Sequence, residues 1–289
     1  MRILVIGSDG TIGRALAQAL GNSGHEAIGT TRNPENIDEP SRIFLNLASG
    51  KQPLLPDADV AVICAAMARF EECRNQPELA RRVNVTAPID IAEQLLPRGT
   101  RVLLLSTSAV FDSFEPFRKP DSVRAPRSAY GRLKVEAENR LLEMGTGTSV
   151  LRLTKVLTSQ DRLINKWIGD LKTGNTITAF KDHRFSPLSL TTVINAIAQV
   201  IERNENGVFQ ISGAFDISYV DAALYIASRL GRSANSVMRV AGADHGLLDN
   251  EVAHYTSLDT SRLSQMIGFL PPRPFDVLDG VYGAAIAAA

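Results

Sequence analysis

Tyr130 and Lys134 stand four residues apart in Tyr130-Gly131-Arg132-Leu133-Lys134, a spacing that puts a phenol and an ammonium on one face of a helix. A free tyrosine holds its proton to a pKa of about 10. A neighbouring ammonium favours the phenolate and lowers that value, and a phenol so tuned can give or take a proton near neutral pH. Upstream, Leu105-Ser106-Thr107-Ser108-Ala109-Val110-Phe111-Asp112 offers three hydroxyls in a row. On chemistry alone Ser106, Thr107 and Ser108 are equal candidates to hold a substrate oxygen beside the tyrosine. At the start of the chain Gly7, Gly10 and Gly13 separate an apolar run from the helix-forming Arg14-Ala15-Leu16-Ala17. Glycines so placed let backbone N–H groups and a helix N-terminus approach a diphosphate, whose charge the helix dipole favours. Asp9, Thr11 and Ile12 belong to the same turn, with Thr11 and Ile12 setting the helix entry and Ile12 packing inward.

The turn and the tyrosine–lysine pair together point to a nicotinamide enzyme whose acid is a tyrosine. A cofactor with a free ribose 2′-hydroxyl usually meets an acidic residue about 20 residues beyond the glycines. This chain has Thr31 followed by Arg32 there. A carboxylate would repel a 2′-phosphate, whereas a guanidinium can bind it bidentately. The expectation is NADP(H) in preference to NAD(H), with NAD(H) as second choice. The plain alternative is that Arg32 is a solvated loop charge.

The elements that must position these residues are legible as alternation. Strand-like runs are expected at Arg2–Ile6, Glu26–Thr30, Arg42–Leu45, Val60–Cys64, Arg101–Ser106 and Ser149–Leu153, and helical periodicity at Thr11–Leu20, Val83–Leu96 and Ala129–Met144. Gly21 and Gly24 are read as the stop of the first helix. Alternating strand and helix predicts an α/β fold, a doubly wound parallel sheet of the Rossmann type with both faces covered. From about residue 155 helical segments dominate, at Leu163–Lys172, Leu190–Arg203, Ser218–Leu230 and Thr260–Ile267, with short strands such as Val208–Ile211. The expected division is a cofactor domain over residues 1–155 and a smaller, mostly helical substrate lobe over 156–289, some of whose segments return to the first domain. The lobe is expected over the C-terminal ends of the sheet, and the Ala-rich tail Gly283–Ala289 reads as a helix end or frayed terminus.

Composition bounds the function. The chain has 289 residues, 44% of them hydrophobic, and 31 basic against 31 acidic side chains. That balance argues for a packed core and against nucleic acid or an anionic membrane as partner. Cys64 and Cys73 form neither a disulfide framework nor a metal spacing, and His25, His245 and His254 show no metal-ligand pattern. The first strand begins at residue 2 and no apolar run approaches the ~20 residues of a bilayer span, so a cytoplasmic protein is expected.

Taken together, these residues resemble the extended short-chain dehydrogenase/reductase family, also called the NAD-dependent epimerase/dehydratase superfamily. Gly7, Gly10 and Gly13 match its glycine pattern, and Cys64-Ala65-Ala66 its small-residue strand end beside the cofactor. Val83-Asn84-Val85 matches the asparagine opening the next long helix. Tyr130 and Lys134 match its catalytic pair, and by that alignment Thr107 is the third catalytic residue. The resemblance implies that Tyr130 donates a proton and Thr107 orients a carbonyl oxygen. It implies that Lys134 holds the nicotinamide ribose and depresses the tyrosine pKa. The cofactor set it implies is Gly7, Asp9, Gly10, Thr11, Ile12, Gly13, Thr31, Arg32, Asn46, Leu47, Cys64, Ala65, Ala66 and Asn84, with Tyr130 and Lys134.

Within the family the chain most resembles the dTDP-4-dehydrorhamnose reductase branch, through Glu138, Leu151-Arg152, Asp182-His183 with Pro187, Gly207–Gly213 and Leu258–Ser261. Two positions depart from it: Ser108-Ala109 stands where Asp-Tyr is usual, and Asp182–Leu188 departs from the usual Asp-Gln-x-x-x-Pro-Thr. His183 and Arg184 could touch a sugar or diphosphate, and the plainer reading is loop residues on the surface. The implied activity is reduction of a keto group on a nucleotide-linked sugar. One alternative is an epimerase that keeps its cofactor bound. A dehydratase would want an acid–base pair where Ser108-Ala109 stands. Another alternative is a non-catalytic, NADP-binding regulatory subunit. A homodimer is common in the broader family.

Overall fold

Ile3 and Val5 point to one side of the first strand, Leu4 and Ile6 to the other, and all four are fully buried. A strand apolar on both faces belongs inside a sheet covered on both sides. The computed structural model describes residues 1–37 and 41–288. Its first half runs β1 (Arg2–Ile6), α1 (Thr11–Asn22), β2 (Glu26–Thr31), β3 (Arg42–Phe44), β4 (Val60–Ile63), α2 (Phe70–Asn75), α3 (Pro77–Arg81), α4 (Ala87–Leu95), β5 (Arg101–Thr107), α5 (Ala129–Glu143) and β6 (Thr148–Leu153). The second half runs β7 (Lys155–Leu157), α6 (Arg162–Lys172), β8 (Ile177–Phe180), β9 (Arg184–Phe185), β10 (Pro187–Ser189), α7 (Leu190–Arg203), β11 (Gly207–Ile211), β12 (Ile217–Ser218), α8 (Tyr219–Arg229), β13 (Val237–Val240), α9 (Ser261–Ile267) and α10 (Pro274–Ala287).

Seven strands form one parallel sheet in the order β11-β6-β5-β4-β1-β2-β3. The order reverses between β1 and β4, and ligands of open α/β sheets bind in the crevice at that switch point. One face carries Val5, Val62, Leu103, Leu151 and Phe209 under α1, α7 and α9. The other carries Leu4, Ile63, Leu104 and Val150 under α4 and α5. The chain returns to this sheet late: β11 pairs with β6, from Gly207 opposite Ser149 to Ile211 opposite Leu153. A separate apolar core joins α6, α8 and α10, with Trp167, Ile226 and Leu278 buried in it. Three two-stranded pairs, β7 with β10, β8 with β13 and β9 with β12, flank it.

Two helices depart from the periodicity for a physical reason, and the tail follows it. The stretch expected as one helix over 83–96 is a π-helical turn at Arg82–Thr86, then α4, then a 3₁₀ turn at Leu96–Arg98. Pro88 explains the break, since its ring lacks an N–H and clashes with the carbonyl four residues back, which is that of Asn84. Helix α1 continues through Gly21 to Asn22, and Gly24 then takes φ +80°. The Ala-rich tail ends α10, whose Ile286 is buried in the second core; Ala289 lies outside the described residues. Among the described residues no helix is long and apolar enough to cross a membrane.

Candidate active site

The glycine turn is shaped by contacts that only glycine permits. Gly7 has φ +89°, and a Cβ there would lie 2.7 Å from Ala65 Cβ, so the ends of β1 and β4 close on each other. A Cβ on Gly13 would lie 2.3 Å from Gly7 O, locking α1 against the turn. Gly10 differs: its Cβ would meet only Gly7 O, at 3.4 Å. It is the N-cap of α1 and brings no side-chain acceptor to the first-turn N–H groups. These groups suit a diphosphate, and a side chain at position 10 would fill that cradle rather than disturb the fold. The turn is also tied to β2: Gly7 N donates to Thr30 Oγ1 at 2.8 Å and Ser8 Oγ to Thr30 O at 3.1 Å. Thr11 opens α1 and Ile12 packs inward against the core.

At the C-terminal end of β2 the structure assembles a charge cluster. Thr31 Oγ1 donates to Asp9 Oδ2 at 2.8 Å, Arg32 N donates to the same oxygen at 3.3 Å, and Arg42 Nη1 reaches Asp9 Oδ1 at 3.3 Å. Arg32 itself is exposed. Arg42, at the start of β3, was not among the residues singled out from sequence; its distance from the turn along the chain hid it.

The tyrosine–lysine pair sits on α5, whose N-cap Ser128 accepts from Gly131 N at 3.0 Å. A Cβ on Gly131 would lie 2.1 Å from Ala109 O, so α5 begins in direct contact with the turn that follows β5. Lys134 is fully buried and its Nζ donates to Leu105 O at 2.7 Å. Desolvation pushes its pKa down to about 8, partly opposed by Glu138. Tyr130 behaves opposite to the sequence expectation. Its half-buried ring lies 6.0 Å from the Phe70 ring, and burial pushes the phenol above its ordinary value, with Cys73 a smaller cause in the same direction. The phenol therefore keeps its proton throughout the neutral range.

Ser106 and Thr107 end β5 and Ser108 opens the 3₁₀ turn after it, and the three hydroxyls are no longer equivalent. Ser106 is buried and its Oγ donates to Glu138. Thr107, half-buried on the alternate face of the strand, accepts from Ala109 N at 3.1 Å through Oγ1, which leaves its own O–H to donate elsewhere. Beneath them lies a buried polar network. Arg152 Nη2 meets Glu138 Oε2 at 2.8 Å with both side chains sealed from solvent. Arg152 Nη1 also donates to Gln210 Oε1 at 3.0 Å, and Gln210 Nε2 to Arg118 O at 2.7 Å. This joins α5, β6 and β11 to the excursion that follows β5.

Asn84 faces the chain, not the cleft. Its Oδ1 accepts from Met67 N at 2.9 Å and its Nδ2 donates to Met67 O at 3.0 Å, so it holds the loop after β4 in place. Cys73 Sγ donates to the same carbonyl. Cys64 and Ala65 both donate from backbone N to Ile6 O at 3.0 Å, and Ala66 follows in the same loop; burial pushes the Cys64 thiol up to about 12. Asn46 Oδ1 accepts from Ala48 N at 3.0 Å in a local turn, and Leu47 is buried in the core. His183 is not a surface residue as read from sequence. It stacks on Tyr219 at 5.2 Å and accepts from Ala253 N at 3.0 Å, and desolvation lowers its pKa. Arg184 lies over the Tyr255 ring, 5.9 Å from its centroid.

A doubly wound sheet takes a dinucleotide's diphosphate at the first glycine turn. A protonated tyrosine and a sealed lysine one turn apart, at the end of β5, suit hydride exchange with a carbonyl. The chain is an oxidoreductase of the extended short-chain dehydrogenase/reductase type. It belongs to the family described as RmlD substrate binding domain, whose model matches residues 1–276. It is 26% identical over 302 residues to the probable low-salt glycan biosynthesis reductase Agl14 of Haloferax volcanii, covering 100% of this chain and 98% of that protein. It is 24% identical to the dTDP-4-dehydrorhamnose reductase of Mycolicibacterium smegmatis, covering 99% of this chain and 86% of that one. It is also 25% identical to methionine adenosyltransferase 2 subunit beta of Pongo abelii, covering 96% and 85%.

Among solved structures, a dTDP-4-dehydrorhamnose reductase from Clostridium acetobutylicum superposes with TM-score 0.82 at 20% identity over 99% of both chains. MoeE5 in complex with UDP-glucose and NAD also gives 0.82, at 19% identity over 100% and 99%. The Bacillus anthracis dTDP-4-dehydrorhamnose reductase in complex with NADP gives 0.79 at 18% identity over 98% and 99%.

Proposed function

We propose that this chain is an NADP(H)-preferring reductase of a keto group on a nucleotide-linked sugar. What supports the reading is the edge at which α5, carrying Tyr130 and Lys134, meets the end of β5, carrying Thr107, through the contact of Gly131 with Ala109 O and the bond from Lys134 to Leu105 O. When bound, the nicotinamide supplies the hydride. Tyr130, kept protonated by burial, donates the proton to the carbonyl oxygen. Thr107 has its oxygen committed to Ala109 N and aims its own hydrogen at the same carbonyl. Lys134, held to Leu105 O by one N–H, has two further N–H bonds for the nicotinamide ribose. Gly7, Gly10 and Gly13 with the start of α1 hold the diphosphate, Thr31 and Arg32 face the adenosine ribose, and Ala65 and Ala66 line the nicotinamide side. Residues 156–289 supply most of the sugar-nucleotide pocket. Relatives named as reductases of glycan and dTDP-sugar synthesis support the substrate class.

The test is a panel of nucleotide-linked 4-keto sugars with NADPH, followed at the absorbance of the reduced nicotinamide. Consumption of NADPH on one member supports the reading, and cofactor that stays bound without net consumption favours an epimerase. A second reading, a regulatory subunit that binds NADP without turnover, is favoured by the likeness to methionine adenosyltransferase 2 subunit beta over 96% of the chain. Tight NADPH binding with no turnover across the panel would support it.

A further inference from the structure

The carboxylate that the end of β2 lacks is supplied by the glycine turn. Asp9 swings across to β2, where Thr31 Oγ1 and Arg32 N donate to one of its oxygens and Arg42 Nη1 to the other. Gly29 makes room for this: a Cβ there would lie 2.5 Å from Ser8 Oγ and 3.5 Å from Arg42 Cγ. Arg42 therefore runs over Gly29 toward the turn. The cluster stands where the adenosine ribose lies on this fold, outside the carboxyl end of β2. Among the described residues it holds the Asp9 carboxylate and two guanidinium groups, Arg32 exposed and Arg42 mostly covered. Asp9, about one-third exposed, retains lone pairs able to accept a ribose hydroxyl. The same charge opposes a 2′-phosphate.

We propose that Asp9, balanced by Arg42, sets the choice between 2′-hydroxyl and 2′-phosphate in this chain. It holds the preference that Arg32 creates in check, so that NADH is still accepted. The inference rests on the nicotinamide-dinucleotide reading above. Asp9→Asn removes the charge without changing shape. Arg42→Met removes the cation and leaves the carboxylate facing the ribose.

The test is the dissociation constants of NADPH and NADH by calorimetry for the parent and both variants, with circular dichroism to check folding. Asp9→Asn should raise the NADPH-over-NADH affinity ratio about tenfold or more, part of it from weaker NADH binding. Arg42→Met should lower the ratio by about fivefold or more. The two shifts have opposite signs, so either variant alone decides the matter if the other does not fold. Parental ratios, within about twofold, in the folded variants overturn the proposal while leaving the dinucleotide reading intact. A parent that binds neither cofactor overturns both.

Discussion

Lys134 donates from Nζ to the carbonyl oxygen of Leu105 at 2.7 Å, tying the helix that carries Tyr130 to the strand that ends in Thr107. The bond is sealed from water, and desolvation brings the lysine pKa down to about 8. An unfolded lysine keeps its proton to about 10.4. Between those values the unfolded chain binds more protons than the folded one, so this group makes stability rise with pH from about 8 to about 10. Below pH 8 both states are charged and the contribution is flat. Urea melts of parent and Lys134→Met at pH 7 and pH 9.5 should show the parent gaining on the order of 1–2 kcal/mol relative to the variant. The same pH dependence in both would count against a buried, proton-losing lysine.

Tyr130→Phe removes only the hydroxyl. NADPH affinity should stay within a few-fold of the parent, and turnover should fall about 10²–10⁴-fold. Because burial raises this phenol, absorbance near 295 nm should show no ionisation attributable to Tyr130 below pH 10 in the free protein. A difference spectrum between parent and variant that titrates near pH 7 would overturn that expectation, and unchanged turnover would remove Tyr130 from the chemistry.

Gly10 and Gly13 look alike in the sequence and should respond differently. A Cβ at Gly10 meets only Gly7 O, at 3.4 Å, while one at Gly13 collides with the same oxygen at 2.3 Å. Gly10→Val should keep most of the melting temperature and abolish NADPH binding. Gly13→Ala should destabilise by about 1–3 kcal/mol, as forced overpacking does. Thermal melts paired with calorimetry separate the two, and normal NADPH binding by Gly10→Val would show that the turn holds no cofactor.

Glu138 sits between Arg152 and Arg124 with no solvent exposure. Removing one partner of such a pair leaves an uncompensated buried charge and costs about 3–5 kcal/mol. Glu138→Gln should lower stability by about that amount, measured by denaturant melts. Glu138→Leu combined with Arg152→Met should be less damaging than the sum of the single changes, because the doubly substituted core holds fewer orphaned charges. Strict additivity would show that the pair is not coupled.

Much of the frame was legible because it follows from local pattern. Ile3 to Ile6 are apolar at every position, so a strand buried on both faces is implied before any partner is known. Three glycines three apart announce a turn that something must approach, and Tyr130 and Lys134 share a helix face whatever surrounds them. The start of α7 and both ends of β1 match the periodicity, because chain geometry alone sets the repeat.

Tertiary structure decided what depends on neighbours distant in sequence. It sent Ser106 to Glu138 and left Thr107 half-exposed, a choice between adjacent hydroxyls that strand alternation permits but cannot orient. It brought Arg42 to Asp9 across 33 residues of chain and turned Asn84 onto Met67. It also reversed the expected shift of Tyr130. A lysine four residues away promises a lowered pKa on a helix in water. In the folded protein Lys134 is held to Leu105 O, and loss of solvent around the phenol raises its pKa. Spacing along the chain fixes which groups can meet, whereas desolvation, which sets their proton affinities, exists only once the core has closed around them.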